Sequence, residues 1–258
     1  SPSYAMHIGE VAQRMGLDPK KDLKVKIGLV GGHAIGRNFD GVAILSADFE
    51  NEGIKRLLKS DIPTVTLDYI FDKNHTAIIS DNNVGMKELI EYVIQQGHKK
   101  IAMIHGEDTL VTKERKKIFL ETTKAHGIQI PDEYFAQGLY HDPITSSEAT
   151  NILLSLPNPP TCIFFPDDYS ALGGIKVINS KNLTIGKDIS IVGYDGIMLT
   201  SMLLPPLTTY EQDGEKIGKL IGKELIKNIE QRNEYENQNI LVSGRILYGG
   251  SVAKIDEK

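Results

Sequence analysis

The sequence predicts an α/β fold: two similar lobes, each a parallel sheet with helices on both faces, with a cleft between them. Three observations carry this expectation. Short apolar runs of strand length alternate with helical patterns along most of the chain. The alternation restarts near Gly106, so there are two series rather than one. Acidic residues stand just past buried strands, at Asp167-Asp168 and at Asp195. The carboxyl ends of strands are where ligands bind in open α/β sheets.

In order, Ser3–Met15 reads as an amphipathic helix with Ile8, Val11, Ala12 and Met15 on one face. Residues 8–17 mimic the first half of a helix-turn-helix. Asp18-Pro19 then stops the pattern where a recognition helix would be needed, which argues against DNA reading by this stretch. Val25–Val30 is a strand. Gly31–Gly36 is a glycine-containing loop without the Lys-Ser/Thr pair of a phosphate loop. Asp40–Leu45, Pro63–Leu67 and Lys100–Ile104 are buried strands. Glu50–Lys59 and Val84–Gln96 are helices, the second closed by Gly97. There is little room for a crossover helix between Val30 and Val42.

The second series has helices over Lys113–His126 and Ser146–Ser155, a strand-like Tyr134–Leu139, and a Pro-rich loop at 157–160. Cys162–Phe165 is a strand ended by Pro166, Ala171–Ile178 a helix, and Ile189–Gly193 a strand. Gly214–Gln231 is a long helix with Ile217, Leu220, Ile221, Leu225 and Ile226 on its apolar face, followed by a strand over Ile240–Leu247.

Composition excludes several classes. The 258 residues are 40% hydrophobic and 24% charged, with net charge −5, as for an ordinary globular protein. One cysteine rules out an internal disulfide framework, and Cys162 reads as a core residue. No apolar run reaches the ~18 residues of a membrane span. The most basic stretch, Lys113–Lys117, lies in a helical pattern, so the chain is a poor candidate for binding nucleic acid by itself. The histidines lack metal-ligand spacing, no GxSxG nucleophile motif occurs, and no cofactor is expected. Asp167 and Asp195 could in principle form a glycosidase pair, but carboxylates that bind polyols look the same in sequence.

Three motifs then carry a resemblance: Phe165-Pro166-Asp167-Asp168-Tyr169-Ser170-Ala171-Leu172-Gly173, Ile189-Ser190-Ile191-Val192-Gly193-Tyr194-Asp195 and Pro205-Pro206-Leu207-Thr208-Thr209. In order and spacing they resemble the effector-binding core of LacI/GalR-type transcription regulators. The resemblance implies two Rossmann-like lobes of the periplasmic-binding-protein kind, joined by three crossing segments near His105-Gly106, Tyr210–Asp213 and Asn237–Ile240. It assigns residues 1–105 and 211–236 to one lobe and 106–210 and 237–258 to the other. The family's DNA-binding headpiece is expected to be absent from this sequence.

The resemblance also assigns roles. Arg115 matches an arginine that hydrogen-bonds the effector, although Ile118 replaces the family's usual glycine nearby. Arginine suits this task because its planar fork can hold two hydroxyls or a carboxylate. Asp195 matches an aspartate that accepts hydrogen bonds from the effector, with Gly196 in place of a second acid. Asp167 is a further acceptor, Asp168 a helix cap, and Phe165 and Tyr194 an apolar face for a ring. Asp81 stands at the mouth of the other lobe, as ligand contact or helix cap, and His98 is structural. The implied protein is a cytoplasmic homodimer that senses a small molecule, by family default a sugar. It reaches operator DNA only through a headpiece and works by allostery rather than catalysis. The alternatives are a secreted sugar-binding protein of a transport system and an enzyme on the same fold.

Overall fold

The computed structural model describes residues 25–28 as backbone, together with 40–45 and 49–255. The expected helix over Ser3–Met15 and the loop Gly31–Gly36 lie outside the described residues. The chain forms two compact units. One runs up to Asp81 and resumes over Asp213–Val242; the other comprises Asn82–Gln212 and the chain from Ser243 onward.

The first unit is a five-stranded sheet in the order β1-β2-β3-β4-β10, made of Val25–Gly28, Gly41–Ile44, Thr64–Leu67, Thr76–Ser80 and Asn239–Val242. All its pairings are parallel. Successive side chains point to opposite faces of a strand, and the packing follows that alternation. Val42 and Ile44 meet Ile54, Leu57 and Leu58 of helix α1 (Glu52–Leu58). Ala43, Val65 and Ile78 meet Ile217, Ile221 and Leu225 of helix α6 (Gly214–Glu230). Each fully buried aliphatic side chain contributes on the order of 2 kcal/mol. Asn51 caps α1 by accepting the Gly53 N–H, and Asp213 caps α6 by accepting that of Lys216.

The second unit is a six-stranded sheet in the order β11-β9-β8-β7-β5-β6. Its strands are β5 Ile101–His105, β6 Phe135–Gln137, β7 Cys162–Phe164, β8 Ser190–Asp195, β9 Thr208–Glu211 and β11 Arg245–Leu247. Only the β9–β11 pair is antiparallel. Helices α2 (Asn82–Gln95) and α3 (Leu110–Ala125) bury Leu89, Ile90, Val93 and Phe119 against Ile101, Phe164 and Val192. Helices α4 (Pro143–Leu154) and α5 (Asp168–Ser180) cover the other face, with Ala149, Leu153, Ala171 and Ile178 against Ile104, Ile163 and Ile191. Cys162 is fully buried in this core, and burial pushes its thiol pKa up. His98 is structural. Its Nδ1 meets the Thr161 hydroxyl at 2.9 Å and its Nε2 the Ala253 carbonyl at 3.1 Å, and burial lowers its pKa.

Several expectations need correction. Residues 82–105 belong to the second unit rather than the first, because β5 pairs with β6 and β7 and α2 packs beside α3. The first passage between units therefore falls at Asp81–Asn82, not at His105-Gly106. Residues 211–212 likewise belong to the second unit, and 237–242 to the first. The single strand expected over Ile240–Leu247 is two strands, one in each sheet. They part at Ser243-Gly244, where Gly244 passes so close to β9 that a Cβ would lie 1.8 Å from the Glu211 carbonyl. The Gly244 N–H donates to the Tyr210 hydroxyl at 2.8 Å. Two strands were not expected at all: β4, and β9, which sits inside the second sheet where a connecting segment was foreseen.

Candidate functional site

The parallel strands of the second unit direct their carboxyl ends to one edge of the sheet. The turns that follow them carry the polar groups of the site. Arg115, on α3 after β5, is 6% exposed. Its Nε donates to Asn82 Oδ1 at 2.9 Å and its Nη1 to the Pro166 carbonyl at 2.9 Å. Its Cζ lies 3.6 Å from the centroid of the Tyr194 ring and 6.0 Å from that of Tyr140. A cation over an aromatic face in a dry setting is stabilised by the ring quadrupole. One side chain thus ties the head of α2, the turn after β7 and strand β8 together.

Asp195 ends β8 with φ of 109°, a conformation L residues rarely adopt, and Gly196 follows at 70°. The Asp195 carboxylate accepts from Gln212 Nε2 at 2.9 Å, and its carbonyl accepts from the Gln212 N–H. Strained backbone held in place by its surroundings concentrates at ligand sites. Tyr140 and His141 follow β6, with Tyr140 half-buried and its hydroxyl 2.9 Å from that of Thr112. Gly106 leaves room for the Tyr140 ring, since a Cβ there would come within 2.3 Å of it.

Three expected contacts are placed differently. Asp167, expected as a ligand acceptor, is 1% exposed and caps α5. It accepts the Ser170 N–H at 2.7 Å, the His141 N–H at 2.8 Å and the Ser170 hydroxyl at 2.8 Å, so its oxygens are engaged by the protein. Burial would raise its pKa, but the bonds from His141 and Ser170 together hold it below the usual carboxylate range. The same contact with Asp167 raises the pKa of His141. Asp168, expected as the cap, is the first residue of α5. Phe165 turns into the core beneath α5, where a Cβ on Gly174 would meet its ring at 2.0 Å. Tyr194 is 2% exposed and serves as the platform under Arg115 rather than as an open face.

Asp81 belongs to the first unit. It follows β4, and its N–H donates to the Val242 carbonyl at 3.0 Å. At the carboxyl edge of that sheet Phe49 and Tyr69 stack with centroids 3.8 Å apart, a pair the sequence reading missed. It also missed Asn82, Tyr140, His141 and Gln212. The consecutive Asp-Pro at 142–143 that opens α4 is a helix-start signal that could have drawn attention to the turn before it.

Asp168 accepts from Thr209 Oγ1 at 2.6 Å and from the Ile197 N–H at 2.9 Å, and it is 1% exposed. Burial pushes its pKa up to about 7. The nearby Asp195 charge adds to this, while bonds from Thr209, Ile197 and Gly196 oppose it. The folded chain therefore holds a proton that the unfolded chain, near 3.8, releases earlier. This group's stabilising contribution is full below about pH 4 and is lost as pH rises through about 7. The stability difference between wild type and Asp168→Asn, measured by urea unfolding, is expected to shift against wild type between pH 5 and pH 8.

Known proteins share this fold. Residues 90–252, more than half of the chain, match the family described as periplasmic binding protein-like domain. The chain belongs to this family. The "Probable HTH-type transcriptional repressor ExuR" of Bacillus subtilis (strain 168) is 34% identical over 84% of this chain. The HTH-type transcriptional repressor PurR of Pasteurella multocida is 32% identical over 78% of it. The chain spans 66% of the length of the first of these relatives and 60% of the second. A structure described as transcriptional regulator LacI from Bacillus cereus subsp. cytotoxis NVH 391-98 superposes with TM-score 0.85 at 26% identity, covering 97% of this chain and 90% of that one. The transcriptional regulator CelR–cellobiose complex shares the fold with TM-score 0.83 at 20% identity, over 97% and 78% of the two chains. These relatives and neighbours are named transcriptional regulators, LacI among them, and the likeness favours the regulator reading over the secreted binding protein. The named relatives are repressors rather than enzymes. Among the described residues no helix is long and apolar enough to cross a membrane.

Proposed function

We propose that this domain senses a small polyhydroxylated molecule, a sugar, at the carboxyl edge of the second sheet. In the intact regulator, occupancy of that site controls operator binding in the cytoplasm. The observation that carries this reading is the placement of Arg115 on α3, Tyr140 after β6 and Asp195 at the end of β8, all past carboxyl ends of strands of the second sheet, with the Arg115 guanidinium 6.0 Å from the Tyr140 ring. A guanidinium, an aromatic ring and a carboxylate together offer donors, an apolar surface and an acceptor, which is the chemistry a sugar ring requires. Cellobiose in the CelR neighbour is consistent with a sugar. Tyr194 supports Arg115 from below, and Asp167 holds the turn that bears His141.

A thermal-shift panel of sugars, sugar phosphates and nucleobases tests the proposal, since a ligand that binds only the folded chain raises its melting temperature. The expected hit is a sugar. Asp195→Asn should weaken it by about tenfold to a hundredfold, the scale of a hydrogen bond to a charged group. A hit confined to nucleobases, or an unchanged response in Asp195→Asn, would overturn this assignment.

The domain is also proposed to act as a homodimer. Met198, Met202 and Leu204 are 78%, 65% and 95% exposed within one short segment of the second unit. An apolar run of that kind on a surface suits a protein interface. Sedimentation of the wild-type chain is expected to show a dimer, weakened by Leu204→Asp. A monomer at tens of micromolar would count against it.

A further inference from the structure

We propose that Asp168 is a positioning residue for Asp195, fixing the turn on which that carboxylate is displayed. This rests on the assignment of Asp195 to ligand binding. Asp168 touches three segments at once. It opens α5, accepts the Thr209 hydroxyl of β9 through Oδ1, and accepts the Ile197 N–H just past β8 through Oδ2. The two bonds of 2.6 and 2.9 Å clamp the turn of Asp195 and Gly196 between neighbouring strands and the helix.

The clamp has little slack. A Cβ on Gly193 would lie 2.1 Å from Asp168 Oδ1, so strand and carboxylate are in direct apposition. A Cβ on Gly196 would lie 2.4 Å from Glu211 Cα, so the turn is also in close contact with β9. The Asp195 backbone at φ 109° and Gly196 at 70° need such support, because an unsupported aspartate would relax out of this conformation. A ligand acceptor held to within a fraction of an ångström is worth more than one that must be ordered on binding.

Among the described residues the charges facing Asp168 are few. From β8 it is Asp195. Glu211, at the end of β9, pairs with Arg245 Nε at 2.6 Å. Asp167, its neighbour on the chain, is turned to His141 and Ser170. From the turn itself come the backbone N–H groups of Gly196 and Ile197, and from β9 the Thr209 hydroxyl. Asp168 is therefore a buried carboxyl with three donors and one like charge around it, and its titration should be felt at the turn it holds.

The test is amide hydrogen exchange and a pH titration of amide resonances on the wild-type chain, Asp168→Asn and Thr209→Val. In wild type the Ile197 resonance should titrate near neutral pH, and it should not in Asp168→Asn. Exchange at Ile197 should rise about tenfold or more in Asp168→Asn, while exchange at Ala171 inside α5 stays within about twofold of wild type. Thr209→Val keeps the side-chain shape and removes one donor, and it should raise Ile197 exchange in the same direction. It keeps the test open if Asp168→Asn fails to fold. Unchanged Ile197 exchange in both folded variants, or a wild-type Ile197 resonance flat from pH 5.5 to 8.5, overturns the proposal. These readouts need no ligand. Failure of the sugar panel would sink the binding assignment and leave the clamp measured, and failure of the clamp would leave the binding assignment standing.

Discussion

Arg115→Ala is expected to abolish the ligand response and also to cost about 3 kcal/mol of stability, the scale for breaking a buried, hydrogen-bonded charge. The resemblance assigned it a single task, hydrogen-bonding the effector. The structure gives it two tasks. Truncation strips the donor from Asn82 Oδ1 and from the Pro166 carbonyl and uncovers the face of Tyr194. Urea unfolding should show a lower midpoint for Arg115→Ala. Arg115→Lys, which keeps the charge without the planar fork, should recover less than half of the loss. Wild-type stability in Arg115→Ala would mean that the three segments it joins are held by other contacts.

The second large effect is expected at Gly173. Helices α4 and α5 pack tightly here, and Ser147 Oγ bridges the Pro143 and Gly173 carbonyls at 2.8 and 3.0 Å. A Cβ on Gly173 would lie 1.8 Å from the Pro143 carbonyl oxygen and 2.7 Å from its carbon. Both atoms are backbone, so no side-chain rotation relieves the overlap. Alanine is the better helix former by about 1 kcal/mol. Separating two packed helices costs more, typically up to about 3 kcal/mol, so the overlap decides the sign. Gly173→Ala should therefore lower the melting temperature by several degrees. A neutral or stabilising result would show that α4 can shift without loss.

Most of the strand and helix alternation was legible because buried parallel strands and amphipathic helices have different periods, and the chain keeps them distinct. Leu89, Ile90 and Val93 show the helical spacing plainly, as do Ile217, Ile221 and Leu225. Strand β4 escaped because Thr76 and Ser80 at its ends are polar yet buried, so its apolar run is only Ala77 to Ile79. Strand β9 escaped because Thr208, Thr209 and Tyr210 follow a Pro-Pro step that reads as a connector. At the candidate site, Arg115 and Asp195 could be named from the sequence. Their supports were not: Asn82 and Arg115 are 33 residues apart in the chain, and nothing local predicts that they meet. The cap was assigned to Asp168 instead of Asp167 because two adjacent aspartates before a helix look alike until the Ser170 N–H selects one.

The broken course of the first unit has a consequence for how the protein is made. Helix α6, which covers Ala43, Val65 and Ile78, belongs to a segment that leaves the ribosome only after all of Asn82–Gln212. During vectorial synthesis one apolar face of the first sheet must wait, uncovered, while the bulk of the second unit is translated and can fold. The nascent chain is thus exposed to aggregation at a defined stage, and a chaperone that shields β2 to β4 would act in that interval. Circular permutation that moves Asp213–Val242 ahead of the first unit would remove the wait.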